Sequence, residues 1–356
     1  MISTFDDELL RIAQAVRGII QDPSLRPNLA PPELLTAALA YPQAGGKALR
    51  PALLTWTCKA LGGPVDAALR AGVAVELYHT YTLVHDDVID RDMKRRGKPS
   101  VHALMARSGD EQFHLDGEGA AHYGLSMAIL TGDVQQAWAI DLLASLPELG
   151  VSPEVTLQLI RRFEGIVGPA IVEGEVLDIQ LPFLPIEQVT SDMINRVILT
   201  KTAALFAFCA WAGGLIARGQ EDEYVWALSA FAERAGIAFQ LQDDVLGIIG
   251  DEKKLGKPVG SDLREGKRTL IITHAWERAN DNERALLTSV LGNSQASVES
   301  VAEVTALLTR LGAIDEVQEM ANAYLDQALD HLHRLPGNDS VQLLREMALK
   351  MVKREK

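Results

Sequence analysis

The sequence predicts an all-α protein: a single domain of about 12–13 helices spanning residues 1–356. Three observations predict it. Ala- and Leu-rich segments with a 3.6-residue apolar period recur from end to end. Strand-like alternation of β-branched residues is rare, and aromatics make up only 5% of the chain. Proline and glycine breakers fall between the periodic segments.

The first helix is expected at 3–21, an acidic amphipathic segment beginning MISTFDDELLRIAQ. Pro27, Pro31 and Pro32 separate it from helices at 32–42 and 47–61. The pair Gly62 and Gly63 breaks the chain before a long helix at 64–91. The segment 103–123 (ALMARSGDEQFHLDGEGAAHY) is polar and carries Gly and Asp, so a loop is expected there. Helices follow at 124–146 and 152–181, with Pro182 and Pro185 as breakers. Ser191 is an N-cap candidate for 192–217, and 220–249 follows. After the turn from Gly256 to Pro258, helices are expected at 266–278, 282–292, 298–312 (N-cap Ser297), 314–333 and 338–354.

With 356 residues, 47% of them apolar, the chain can bury a large core. The formal net charge of −14 argues against nucleic acid and anionic membranes as main partners. It leaves room for an anionic small substrate, because local cations and metals can reverse the field inside a cleft. Cys58 and Cys209 lie in apolar stretches and read as reduced core residues of a cytoplasmic protein. The N-terminus lacks the pattern of a signal peptide. No transmembrane segment is expected, since AALFAFCAWAGGLIA is too short to span a bilayer.

Two aspartate pairs carry most of the functional information. HDDVID holds Asp86, Asp87 and Asp90, and QDDVLG holds Asp243 and Asp244. Each ends an apolar helical stretch, where carboxylates are costly unless something neutralises them. Hard divalent cations do so, and magnesium binds through a few carboxylates, waters and substrate phosphates. Asp86 and Asp90 are four apart and share a helical face. Basic residues escort both motifs: Arg95 and Arg96 after the first, and Lys253, Lys254 and Lys257 after the second, with Lys267 further on. Lys47 and Arg50 in GGKALRP are three apart, on a common helical face after a glycine pair. Lys201 in LTKTAALF is a cation flanked by apolar residues. Taken singly, each is an ordinary surface charge; together they point to metal ions holding a polyphosphate.

The ordered series GGKALRP, ELYHTYTLVHDDVIDRDMKRRGKPSVH, AILTGD, GEVLDI, LTKTAAL and AFQLQDDVLGIIGDEKKLGKPVGSDLREGKRTL resembles the trans-isoprenyl diphosphate synthase family, over about residues 45–270. The resemblance implies an isoprenoid-synthase bundle around a deep central cavity. It implies that Asp86, Asp87, Asp90, Asp243 and Asp244 hold three Mg²⁺ on an allylic diphosphate. Arg95, Lys201 and Lys257 would clamp that diphosphate, with Thr202, Gln240 and Lys267 nearby. Lys47, Arg50, His79 and Arg96 would bind isopentenyl diphosphate. A homodimer is the usual assembly.

Gly247 stands where many members have a third aspartate, and Glu175 where glutamine is common; Asp178 matches. Five residues before Asp86 stands Tyr81; Thr82 is four before and Tyr78 eight before. Core packing is one reading of the tyrosines. The resemblance supplies another, in which they floor the channel for the growing chain. An aromatic at Tyr81 with a small residue at Thr82 resembles archaeal-type geranylgeranyl synthases, with a twenty-carbon product; Tyr78 would favour the fifteen-carbon farnesyl alternative. Two other classes compete: a class I terpene cyclase, which would not need the isopentenyl-binding set, and a non-catalytic regulatory subunit, which would not need both aspartate motifs.

Overall fold

The computed structural model describes residues 4–250 and 260–353. The chain divides into two compact units: Met1–Ile160 with Ala212–Asp222, and Arg161–Trp211 with Glu223–Lys356.

In the first unit, α1 (Phe5–Gln21) opens with a capping box between Thr4 and Asp7 and buries Ile12, Val16 and Ile20 on one face. Next come α2 (Pro32–Ala44), α3 (Leu49–Ala60) and α4 (Val65–Ile89). The inner face of α4 is lined by small residues, and Gly72 lets it lie against Pro51. A two-residue hairpin, β1 (Lys94–Arg95) and β2 (Lys98–Pro99), turns through Arg96 (φ 53°) and Gly97 (φ 75°). Positive φ at both turn positions matches the twist of a tight hairpin.

The segment 103–123 is not a loop. Helices α5 (Val101–Phe113) and α6 (Gly117–Ala144) occupy almost all of it, joined by 114–116. Val101, Met105 and Gly109 form a buried stripe, so α5 is amphipathic with a narrow apolar face. The glycines that suggest a loop are where the two helices meet. A Cβ on Gly124 would lie 2.2 Å from the His102 carbonyl oxygen, and one on Gly109 2.7 Å from the Tyr123 ring. Tyr41, Val84, Val101, Met105 and Ala128 form one apolar cluster where α2, α4, α5 and α6 come together.

The second unit begins inside α7 (Pro153–Arg162), which passes through a π-helical turn (Phe163–Val167) into α8 (Gly168–Gln180). Likewise α9 (Ser191–Val197) passes through a π segment (Ile198–Ala203) into α10 (Ala204–Arg218), whose residues from Ala212 on belong to the first unit. Gly174 seats α8 on that segment: a Cβ there would be 2.6 Å from the Lys201 nitrogen. The long α11 (Glu223–Ile249) packs on the same π segment. After Gly260 come α12 (Ser261–Glu265), α13 (Leu270–Arg278), α14 (Asp281–Val290), α15 (Val298–Arg310), α16 (Ala313–Leu332) and α17 (Asp339–Val352). Of these, α16 covers most of α11. Stacked Phe163 and Phe208, with Trp211 beside them, fill the interior near α7 and α10.

Every helix expected from the sequence is present, with α5 and the short α12 added. One expectation about length is corrected. The run Ser191–Arg218 has 28 residues and contains an 18-residue stretch of mean hydropathy 1.5, enough in length and apolarity to cross a membrane, but 67% of that stretch is buried within the protein. The helix expected at 192–217 runs on through the π segment, so it is longer than its most apolar stretch, AALFAFCAWAGGLIA.

Gly124→Ala should lower the thermal unfolding midpoint, as expected for a methyl forced into a packed contact costing about 1–3 kcal/mol. Gly117→Ala, with nothing within 4 Å of the new methyl, should leave it unchanged or raise it. Equal midpoints for the two variants would contradict this account of the α5–α6 contact.

Candidate active site

The first aspartate pair sits at the C-terminal end of α4. Adjacent helical residues point about 100° apart, so both cannot face the same environment. Asp87 turns inward and its side chain is fully buried, while the Asp86 side chain is 21% exposed. Arg95 Nε donates to Asp87 Oδ1 at 2.7 Å, and its Nη2 donates to Asp86 Oδ2 at 3.1 Å. The Tyr41 hydroxyl donates to the other Asp87 oxygen and accepts from the Val101 backbone N–H at 3.2 Å. Both oxygens of Asp87 are thus engaged inside the protein. Asp90, the C-cap residue of α4, is exposed.

An open cavity lies beside α4 in the same unit, lined among others by Arg17, Gly45, Gly46, Glu76, His79 and Arg96. Arg96, at the tip of the β1–β2 turn, donates to the Gly45 carbonyl, and its guanidinium lies over Gly46, where a Cβ would be 2.9 Å away. Burial, and then the charges of Arg50, Arg96 and Arg95, push the His79 imidazole well below its ordinary range, so it is neutral at pH 7. Burial pushes the Glu76 carboxyl upward, against Arg50 and Arg96. Lys47 and Arg50 do not share a helical face: Ala48 is left-handed, α3 starts at Leu49, and Lys47 is an exposed residue of the preceding turn. The glycine pair signals this turn, and a helix begun at 47 overlooks it.

The second pair divides as the first does. Asp244 is buried and Asp243 partly exposed on α11. Lys267 Nζ donates to Asp244 Oδ1 at 2.9 Å, and Gln240 Nε2 donates to the same oxygen at 3.1 Å. Thr202 donates to Gln240 Oε1 at 2.8 Å. Thr202, Gln240, Asp244 and Lys267, gathered from three stretches of sequence, therefore form one connected network. Burial opposes the charge of Lys267, but Asp244 and then Asp262 outweigh it, so this ammonium holds its proton more tightly than an ordinary lysine. Lys201, raised on the π segment, contacts Asp178 Oδ2 at 2.6 Å and Glu175 Oε2 at 2.8 Å. π-Helical turns frequently mark functional positions. Lys257, with Lys253 and Lys254, lies outside the described residues.

Among the described residues, no group of three or more Asp, Glu, His or Cys side chains encloses a metal ion unaided. The donor set still fits magnesium, which takes few protein carboxylates and completes its shell with water and phosphate oxygens. Upstream of Asp86, the Tyr81 ring stands edge-on between Tyr78 (centroids 4.7 Å) and His85 (5.3 Å), and Thr82 donates to the His79 carbonyl. His85 is itself fixed by the Ile129 carbonyl at 3.0 Å and lies against Gly132 of AILTGD. Sequence reasoning missed Tyr41, Glu76 and His85. Glu76 and His85 lie inside the quoted motif ELYHTYTLVHDDVID but are overshadowed there by His79 and the aspartates, and only the fold brings Tyr41 to a residue 46 positions away.

Comparison with known proteins shows the family of the chain. The family model described as polyprenyl synthetase matches residues 32–308. The chain belongs to the polyprenyl synthetase family. Geranylgeranyl diphosphate synthase of Sulfolobus acidocaldarius is 36% identical over 344 residues, 96% of this chain and 95% of that protein. The enzyme of the same name from Methanosarcina mazei is 33% identical over 355 residues, 100% and 99% of the two chains. Among solved structures, geranylgeranyl pyrophosphate synthetase from Pyrococcus horikoshii superposes with a TM-score of 0.85 at 35% identity, over 99% of each chain. The Corynebacterium glutamicum synthase, complexed with isoprenyl diphosphate and magnesium, gives 0.85 at 28% identity, over 99% of this chain and 100% of that one. As a polyprenyl synthetase, this protein is a prenyltransferase of isoprenoid synthesis.

The depressed His79 has a measurable consequence. Above its unfolded-state pKa near 6.5 the imidazole is neutral in both states. Below it the unfolded chain binds a proton that the folded protein resists, so stability falls with pH. His79→Gln should therefore lose less thermal stability than the parent between pH 7.5 and 5.5. An equal loss would show that His79 titrates normally.

Proposed function

We propose that this synthetase condenses isopentenyl diphosphate with an allylic diphosphate (dimethylallyl, geranyl or farnesyl) and releases geranylgeranyl diphosphate. The observation that carries the reading is the matched division of the two aspartate pairs, each with one carboxylate buried against a cation and its neighbour partly exposed, although Arg95 also reaches Asp86. We assign Asp86, Asp90 and Asp243 as ligands of Mg²⁺, three ions in all, bound with the allylic diphosphate. Asp87 and Asp244 are assigned to hold the frame: Asp87 orients Arg95, and Asp244 orients Lys267. Bound magnesium supplies Lewis-acid stabilisation of a leaving diphosphate.

The protein's own groups act on the same charge. Arg95, Lys201, Lys257 and Lys267 meet the oxygens that become negative as the allylic C–O bond breaks, and Thr202 and Gln240 fix Lys267 through Asp244. Lys47, Arg50, His79 and Arg96 hold the diphosphate of isopentenyl diphosphate; His79 and Arg96 line the cavity beside α4, and neutral His79 donates a hydrogen bond. The double bond of that partner attacks the allylic cation, and the released diphosphate takes the proton. Apolar helix walls exclude water. Tyr81, edge-on against Tyr78, floors the path of the growing chain. Retention of both aspartate motifs and of the isopentenyl set favours the synthase over a cyclase or a regulatory subunit. The whole chain works as one synthase in the cytoplasm, as a homodimer, for which exposed Leu125, Ile129 and Leu130 on α6 are a candidate apolar face.

The purified chain with Mg²⁺, isopentenyl diphosphate and each allylic starter in turn should yield mainly a twenty-carbon product by chromatography. A cyclised hydrocarbon, or no consumption of isopentenyl diphosphate, would overturn the reading. Tyr81→Ala should lengthen the product; an unchanged length would remove Tyr81 from the floor.

A further inference from the structure

We propose that Arg17 is a further binding residue for isopentenyl diphosphate, its guanidinium donating to a phosphate oxygen from the α1 wall of the cavity that His79 and Arg96 also line. The inference rests on the assignment of that diphosphate to Lys47, Arg50, His79 and Arg96.

Helix α1 turns one face inward. Ala13, Val16 and Ile20 lie on that face, are buried, and line the cavity. Arg17 falls on the same face, four residues from Ala13 and three from Ile20, and is the charged member of the α1 lining. The other arginine of this helix serves a different purpose. Arg11 has a side chain 64% exposed and pairs with Glu8 at 2.5 Å, one turn away. Arg17 is half-buried, and among the described residues no carboxylate or other acceptor meets its guanidinium. Glu76 lines the same cavity, but its carboxyl answers to Arg50 and Arg96 and makes no ion pair with Arg17.

A guanidinium on an apolar helix face, sharing a cavity with the guanidinium of Arg96, is costly to keep there unless an anion meets both. Its planar fork of donors matches phosphate oxygens. A diphosphate offers enough oxygens for donors from three elements at once: Arg17 from α1, His79 from α4, and Arg96 from the β1–β2 turn. Neutral His79 brings a hydrogen bond without charge. Arg17 brings both, which suits it to the charge of the substrate more than to its shape.

The test is steady-state kinetics of the purified chain, with each substrate varied in turn and the thermal unfolding of every variant recorded beside it. Arg17→Met and Arg17→Gln should each raise KM for isopentenyl diphosphate roughly five- to thirtyfold, the scale of one charged hydrogen bond. KM for the allylic diphosphate should stay within about twofold. Arg17→Lys, which keeps the charge but not the fork, should fall between Arg17→Met and the parent. Arg11→Met, on the same helix but away from the cavity, should behave as the parent does. Arg96→Met reports on the cavity itself and should raise the same KM. If Arg96→Met leaves that KM unchanged, the assignment of isopentenyl diphosphate to this cavity fails. If Arg96→Met raises it and neither neutral Arg17 variant does, the inference about Arg17 fails alone. It fails too if Arg17→Lys is as poor as Arg17→Met, or if Arg11→Met matches Arg17→Met, since packing or the general field would then set the KM.

Discussion

Two adjacent aspartates on an α-helix cannot both face a metal, because consecutive side chains diverge by about 100°. That constraint organises the candidate site. In each motif the second aspartate is the buried one, and each is met by a cation from a later segment: Arg95 for Asp87, Lys267 for Asp244. The magnitudes show why this matters. A surface pair such as Arg11 with Glu8 contributes at most about 1 kcal/mol. A buried carboxylate stripped of its partner costs about 3–5 kcal/mol, because its desolvation is no longer offset. The inner pairs are thus conditions for the helix ends to exist where they do. They hold the outer carboxylates in place as a by-product.

Local departures from ideal helix geometry serve the same end. The π segment Ile198–Ala203 places Lys201 beside Glu175 and Asp178. The β1–β2 hairpin, with two residues at positive φ, places Arg95 against Asp87 and Arg96 against the Gly45 carbonyl. Side chains of opposite destination, one reaching the aspartates at the end of α4 and one the cavity beside that helix, come from neighbouring positions because the turn points them apart.

Much of this was legible in the sequence. The helices with broad apolar faces were, and so were the aspartate motifs, since apolar runs ending in paired acids are conspicuous. The polar α5 was not: its buried stripe is narrow, and Gly109 and Gly124 serve close helix packing while looking like loop residues. The left-handed Ala48, which separates Lys47 from the helix of Arg50, carries no sequence signal, since alanine rarely adopts that conformation. The inward turn of Asp87 was also hidden, because it depends on Tyr41, which reaches it only through tertiary packing. Gly247 and Glu175 were visible as departures from the family pattern. Only the structure sets Glu175 on Lys201.

The claim on which the account rests is a division of labour, with Asp86 holding metal and Asp87 holding the protein. Mn²⁺ binding in the presence of pyrophosphate, counted by electron paramagnetic resonance and paired with thermal unfolding, separates the two. Asp86→Asn should lose bound Mn²⁺ with little change in unfolding midpoint. Asp87→Asn should keep its Mn²⁺ while losing about 2 kcal/mol of stability, as a buried charged hydrogen bond is weakened. An Asp87→Asn protein that melts like the parent and loses Mn²⁺ as fully as Asp86→Asn would contradict it.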